Sequence, residues 1–318
     1  MPVRSPSGWV NSASEGRMSA LGEKQKHIPV LLNETVEALA LESGMNVVDC
    51  TVGGGGHAEA ILERTAPDGR LLGFDLDEAA LETAQRKLER FGSRAMLVHR
   101  NYRNFEQVLL STSFGPFQAA LLDLGYSSME IDDPSRGFSF RQDGPLDMRY
   151  DRSEPLTAAE IVNGETADGL AKLLWRYGEE REARRIAEAI VYARRKGRII
   201  STLQLAEVVA GAVVARRRRG RIHPATQTFQ ALRIAVNDEL EGLKEALPAL
   251  FRAMDAGGRM AVISFHSLED RIVKEFVKEK TKTGEAEGIT KRPIVPTIEE
   301  IAYNPRARSA KLRTMRKS

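Results

Sequence analysis

Asn46-Val47-Val48-Asp49-Cys50-Thr51-Val52-Gly53-Gly54-Gly55-Gly56 runs directly into His57-Ala58-Glu59-Ala60-Ile61-Leu62. An apolar β-branched pair ends at Asp49, glycines follow, and Ala58, Ile61 and Leu62 then recur at helical spacing. Strand, glycine-rich turn and helix in this order open a nucleotide-cradling α/β unit. Glycine lets the backbone take positive φ and approach a ligand closely. The helix that follows offers unpaired N–H groups and the positive end of its dipole. Taken alone, a glycine loop fits a nucleotide site and a plain tight turn equally well.

Two later stretches favour the nucleotide site. Leu71-Leu72-Gly73-Phe74-Asp75 reads as a second strand ending in an acid. Asp75 lies about 20 residues past the loop, where a carboxylate takes ribose hydroxyls. Ala119-Ala120-Leu121-Leu122-Asp123 is another buried-strand pattern. It ends in Asp at the carboxyl edge, where open α/β sheets bind their ligands. With a strand over Ala95 to Arg100 and a helix over Glu78 to Phe91, the order is β-α-β-α-β-α-β. That order predicts a parallel sheet with right-handed crossovers. Upstream, Asn33 reads as the N-cap of a helix carrying Val36, Leu39 and Ala40.

Past Asp123 the texture changes. Tyr126 to Arg152 is a long loop rich in Ser, Asp, Pro and Gly, and loops of that length are functional or disordered. Thr157 to about Arg217 reads as consecutive helices, with capping boxes at Thr157-Ala158-Ala159-Glu160 and Ser201-Thr202-Leu203-Gln204. This is an inserted helical subdomain. A long helix then passes through Leu232, Val236 and Leu240, and another reaches Met254. Met260 to Phe265 is a buried strand returning to the first sheet. Asp270 to Lys280 is a helix, and Thr281 to Gly288 is polar and mobile. The expected domains are a disordered extension over 1–26, a first domain half over 27–132, the helical insert over 133–222, and a second half over 223–318 with a basic tail.

The chain has 318 residues, 42% hydrophobic and 29% charged, which suits a globular protein. No apolar run approaches the ~18–20 residues of a membrane span. The first 26 residues lack a secretory apolar region. Cys50 is the one cysteine, so no disulfide forms within the chain and a reducing, cytoplasmic setting fits. Its strand-end position reads as packing. Net charge is only +3, but the cations cluster. Arg184-Arg185, Arg194-Arg195-Lys196, Arg198 and Arg216-Arg217-Arg218-Arg219 lie in the insert, and Arg306, Arg308, Lys311, Arg313, Arg316 and Lys317 lie in the tail. Such clusters are the electrostatic footprint of a nucleic acid. The competing reading is solvated helix faces paired with Glu179, Glu180, Glu182 and Glu188.

The loop glycines, the acid after strand two and the acid after strand four together resemble an S-adenosylmethionine-dependent methyltransferase. Further runs are more specific. They are His27-Ile28-Pro29-Val30-Leu31, Asp123-Leu124-Gly125-Tyr126-Ser127-Ser128, Arg136-Gly137-Phe138-Ser139-Phe140, Gly144-Pro145-Leu146-Asp147-Met148-Arg149, Phe229-Gln230-Ala231-Leu232-Arg233-Ile234, Ser264-Phe265-His266-Ser267-Leu268-Glu269-Asp270-Arg271 and Asn304-Pro305-Arg306-Ala307-Arg308-Ser309. In order, over about residues 27–318, they resemble the bacterial 16S ribosomal RNA cytosine-N4 methyltransferase family (MraW, or RsmH).

The resemblance implies a Rossmann-like methyltransferase fold with an inserted helical subdomain. It implies that Gly55, Gly56 and His57 hold the methionine part of S-adenosylmethionine, that Asp75 takes the ribose, and that Tyr102 packs on adenine where the family commonly has Phe. Asp123 is implied beside both cofactor and target amine, with Tyr126 as a stacking surface. Glu130 stands where the family commonly has Gln for a further cofactor contact. The implied partner is 16S ribosomal RNA in the small subunit, met by the arginine-rich insert and the basic tail. No metal ligand spacing is present, and a homodimer is left open.

The implied reaction moves a sulfonium methyl to the N4 amine of a cytosine, a poor nucleophile because its lone pair is delocalised into the ring. Three rivals share parts of the pattern. A nicotinamide dehydrogenase explains the loop and Asp75, but not Asp123-Leu124-Gly125-Tyr126 or the insert. A non-catalytic RNA-binding assembly factor explains the insert. A DNA amino-methyltransferase explains the site and differs in nucleic acid. His266 reads either as an active-site group or as part of a helix entrance.

Overall fold

The computed structural model describes residues 28–125, 128–214 and 223–318. Its centre is a seven-stranded sheet with strand order β3-β2-β1-β4-β5-β7-β6. The strands are β1 (Val47–Asp49), β2 (Leu71–Asp75), β3 (Ala95–His99), β4 (Ala119–Asp123), β5 (Arg259–Ser264), β6 (Ala286–Gly288) and β7 (Lys311–Lys317). Strands β1 to β5 pair in parallel, and β7 pairs antiparallel with both β5 and β6. Val48 lies opposite both Leu72 and Ala120, so β1 is central and its end opens the site.

Both sheet faces are covered, which is why the strands are apolar runs rather than alternating ones. On one face Val48, Leu72, Ala120 and Val262 pack on Leu243, Leu247 and Leu250 of α11 (Glu239–Ala253). On the other, Val47, Leu71, Leu121 and Ile263 pack on Ala58, Ile61, Leu62 and Ala84. These come from α2 (Gly56–Arg64) and α3 (Glu78–Leu88), beside α1 (Leu32–Leu39). Helix α4 (Phe105–Ser111) and the short α5 (Ser128–Asp132) flank β4.

A second core belongs to the insert. Helices α6 (Ala158–Gly164), α7 (Ala167–Gly178), α8 (Ala183–Arg194) and α9 (Thr202–Ala212) bury Ile161, Leu170, Leu174, Ile186, Ile190, Leu205 and Val209 together. The cluster runs past residue 222 to Phe229 and Leu232 of α10 (Ala225–Asn237). Ser201 and Gln204 form the expected capping box of α9. At α6, the Thr157 side chain accepts the Glu160 N–H.

Several elements depart from expectation. Helix α1 starts at Leu32, with Leu31 at φ 52° as N-cap, so Asn33 lies inside the helix. The Leu31 N–H is taken by Glu300 Oε1 at 2.8 Å, a contact from far along the chain that local capping rules cannot see. The helix expected to pass through Leu240 breaks at Asp238, at φ 49°. Helix α3 ends at Leu88 and a 3-10 turn follows. The segment expected to be mobile contains the end of α12 (Ser267–Lys282) and all of β6. The basic tail is not a tail. Short helix α13 (Ile298–Tyr303) leads through a 3-10 turn into β7, an interior strand. Leu312 and Met315 of β7 sit in the cores of opposite faces.

Candidate active site

Strand ends β2 and β4 deliver Asp75 and Asp123 to one cleft, lined also by Pro29, Val30, Tyr102, Glu130, Tyr150 and Phe265, while Asp49 at the end of β1 is fully buried. The cleft opens to solvent at the carboxyl ends of the strands, where open α/β sheets bind their ligands. The glycine loop turns at Gly53 (φ 51°) and Gly55 (φ 80°), conformations that cost other residues free energy. Gly56 begins α2 so close to Pro29 that an added Cβ would collide with the ring Cγ.

Asp75 holds the loop. Its Oδ2 accepts the Gly53 N–H at 2.7 Å and its Oδ1 accepts the Asp77 N–H at 2.9 Å. Each oxygen keeps a lone pair that can accept from a ribose hydroxyl. Asp123 is tied by its own N–H to Thr51 Oγ1 at 2.6 Å. Its Oδ2 lies 3.6 Å from His57 Nδ1. Its Oδ1 is buried without a hydrogen-bond partner among the described residues, as is Asp49 Oδ2. Burial pushes the Asp49 carboxyl up to about 7, helped by Asp75 and opposed by the Thr51 N–H. Burial likewise drives Asp123 well above the usual carboxylate range, with Asp49 and Glu269 adding repulsion. Asp75 is raised too, chiefly by burial.

Tyr102 sits half-buried on a 3-10 turn at the cleft, and burial raises its phenol. Glu130 on α5 is buried, with its carboxylate 3.8 Å from Arg136. Gly55, Gly56, His57, Asp75, Tyr102, Asp123 and Glu130 thus converge around the end of β1, Gly55 as the N-cap of α2 and the others on the cleft wall. Tyr126 lies outside the described residues, and so do Arg216 to Arg219.

Other residues of the site are not evident from the sequence motifs alone. Arg136 is buried, pairs with Asp77 at 2.8 Å, and donates to the carbonyls of Arg149 and Tyr150 at 3.0 and 2.9 Å. Asn237 Oδ1 accepts the Tyr150 N–H at 2.8 Å. Tyr150 is therefore held from both sides at the cleft. Behind it, ligand atoms of Glu239, His266 and Glu269 lie within 4.8 Å of one another. Arg233 grips Glu239 through two bonds of 2.8 and 2.9 Å. His266 Nε2 lies 3.0 Å from Glu269 Oε1. Burial pushes the Glu269 carboxyl up, but His266, Arg233 and the Phe265 N–H outweigh it and hold it low. His266 also caps α12, the helix-entrance reading.

Residues 24–318 match the family model described as the MraW methylase family. The chain belongs to that family. A protein of Symbiobacterium thermophilum named ribosomal RNA small subunit methyltransferase H is 48% identical over 304 residues, 91% of this chain and 96% of that one. Its namesakes in Citrifermentans bemidjiense and Carboxydothermus hydrogenoformans are 45% and 47% identical, each across 92% of this chain and 98% and 97% of theirs. As a member of the MraW methylase family, the chain is an S-adenosylmethionine-dependent methyltransferase with a Rossmann-like fold. The residues present fit that cofactor: a glycine loop closed on Asp75, and an Asp123 oxygen on the cleft wall without a hydrogen-bond partner among the described residues. No helix among the described residues is long and apolar enough to cross a membrane.

Proposed function

We propose that this protein methylates the exocyclic N4 amine of a cytosine in the decoding region of small-subunit ribosomal RNA. The observation that carries the reading is the near full-length match to relatives bearing the small-subunit methyltransferase name, beside a half-buried acid on the cleft wall at the end of β4. S-adenosylmethionine supplies an electrophilic methyl on a sulfonium. Gly55, Gly56 and His57 line the methionine end, Asp75 accepts from the ribose, Tyr102 packs on adenine, and Glu130 gives a further contact. Asp123 accepts an N4–H bond, which draws the amine toward a pyramidal nucleophile and stabilises the charge that develops on it. Tyr126 supplies a stacking surface. The base is splayed from its neighbours to reach the cleft, at a cost of a few kcal/mol.

Two features favour N4 over ring carbon C5 as the methylated atom. Methylation at C5 uses a nucleophile that adds to the pyrimidine, and the chain has one cysteine. Cys50 is 1% exposed, and burial beside Asp49 pushes its thiol well above its ordinary value. The arginine-rich insert, whose sequence includes Arg216 to Arg219, and the basic C-terminal segment meet the RNA phosphates. Residues 27–132 and 223–318 form the methyltransferase domain around the insert of 133–222. The substrate places the protein in the cytoplasm.

Methyl transfer from labelled S-adenosylmethionine tests the substrate. Small subunits lacking the modification, protein-free ribosomal RNA and duplex DNA are offered in parallel. Label in the subunit is expected. Label in DNA alone would replace the reading with a DNA amino-methyltransferase. Cofactor binding without transfer to any of the three would make the protein a non-catalytic assembly factor.

A further inference from the structure

The start of the described chain meets α13 and the residue that follows it. The Leu31 N–H donates to Glu300 Oε1 at 2.8 Å, and Asn304 Nδ2 donates to the Ile28 carbonyl at 3.1 Å. Both anchors are buried. Between them the backbone turns through left-handed geometry at Leu31, and the Val30 carbonyl is fixed 3.0 Å from His57 Nε2. A carbonyl only accepts, so Nε2 carries the ring hydrogen. The other ring nitrogen, Nδ1, faces Asp123 Oδ2 at 3.6 Å. With the tautomer set this way, a neutral ring presents a lone pair to a carboxylate. The two atoms attract only when a proton lies between them.

We propose that His57 is the positioning residue of Asp123: locked in its Nε2–H tautomer by the Val30 carbonyl, its Nδ1 orients the Asp123 carboxylate and shares the proton released by the methylated amine. This rests on the methyl-transfer reading above and gives His57 a role beyond cofactor contact. The N4 lone pair forms the new N–C bond while the C–S bond breaks with its electron pair on sulfur. The nitrogen then carries one proton too many, and that proton passes to the Asp123 carboxylate, where Nδ1 holds it until solvent takes it. Acids press on Asp123, and the cations Arg100 and Arg306 line the same cleft. Asp49 of β1 and Glu269 of α12 repel the Asp123 charge directly, and Asp75 of β2 acts through Asp49. A proton acceptor in such company gains from a partner that can take half of the proton's charge. Ile28 to Leu31, with Glu300 and Asn304, build the clamp on the Val30 carbonyl.

His57→Gln keeps an N–H donor for Val30 and removes the titrating nitrogen. Single-turnover methylation of unmodified small subunits, with cofactor saturating, reads the effect. The rate at saturating cofactor should fall roughly 10- to 100-fold, and the cofactor dissociation constant, titrated separately, reports the methionine-end contact alone. The ascending limb of the pH–rate profile should move by about one unit or more. Wild-type rate at saturation, or lost cofactor affinity with that rate kept, overturns the proposal. So does a slower variant whose pH profile superimposes on the wild type, since that marks a purely structural effect. Glu300→Ala, which loosens the clamp from outside the cleft, should also slow the step and should add little to His57→Gln in the double variant. Additive effects would contradict the proposed chain of contacts. If the slowed variants still make N4-methylcytidine, the reaction assignment stands whatever becomes of His57.

Discussion

At the scale of single residues, the site is a set of carboxylates held away from water by the ends of three strands. Asp49 titrates at about 7, against 3.8 for an ordinary Asp. Between those values the folded chain keeps a proton that the unfolded chain has released. Stability of the cofactor-free protein should therefore fall as pH rises through this window, and Asp75 and Asp123 push in the same direction. Thermal midpoints across the window, in wild type and Asp49→Asn, check the sign. The variant should show the shallower slope, and equal slopes would remove Asp49 as a source. Asp123→Asn should keep the fold and lower turnover by roughly a hundredfold or more, the scale of losing one preorganised polar group. Near-normal turnover would take Asp123 out of the chemistry.

At the scale of elements, what the sequence disclosed depends on how local the cause is. Strands β1, β2 and β4 are short apolar runs ending in acids, and their position follows from period and topology alone. Strand β7 was hidden. In Lys311-Leu312-Arg313-Thr314-Met315-Arg316-Lys317 the buried residues are Leu312, Thr314 and Met315, which breaks simple alternation because both sheet faces are covered. The tail cations that read as an RNA footprint also bind within the protein. Lys311 and Arg313 grip Asp270, Arg306 takes both oxygens of Asp132, and Arg316 lies 3.6 Å from Glu287. Leu312→Ala should cost about 2–5 kcal/mol, as other buried truncations do, and chemical denaturation measures it. A loss under about 0.5 kcal/mol would deny β7 its place in the core. Gly56→Ala should weaken cofactor binding, because its Cβ would press the Pro29 ring into the cleft wall. Unchanged affinity by titration calorimetry would show that the loop yields.

At the scale of the whole molecule, two cores must act together, and little in the sequence marks the joint. Arg136 lies in one of the runs that resemble the family, yet its work is to tie the loop after β2 to the insert. It holds Asp77, whose N–H binds the proposed ribose acid Asp75, and it holds the carbonyls of Arg149 and Tyr150. Those partners are distant in sequence, so no local pattern reveals them. Arg136→Met leaves Asp77 as a buried charge without its ion-pair partner and should destabilise by roughly 3–5 kcal/mol. Arg136→Lys keeps the charge and should cost less. The reverse ranking in denaturation would contradict the role given to the ion pair. Arg216 to Arg219 lie outside the described residues, but their charge is explicit in the sequence. Replacing them with Ala should flatten the salt dependence of RNA binding, by about 0.7 to 0.9 in log–log slope for each phosphate no longer neutralised. An unchanged slope would move the RNA surface elsewhere.

The central claim is the atom that receives the methyl group. Small subunits lacking the modification would be incubated with the protein and isotopically labelled S-adenosylmethionine. The RNA would then be digested and its nucleosides resolved by chromatography and mass. The account predicts the label in N4-methylcytidine, formed roughly a hundredfold or more slowly by Asp123→Asn than by wild type. Label in 5-methylcytidine, in a ribose-methylated nucleoside or in any base other than cytosine would contradict it.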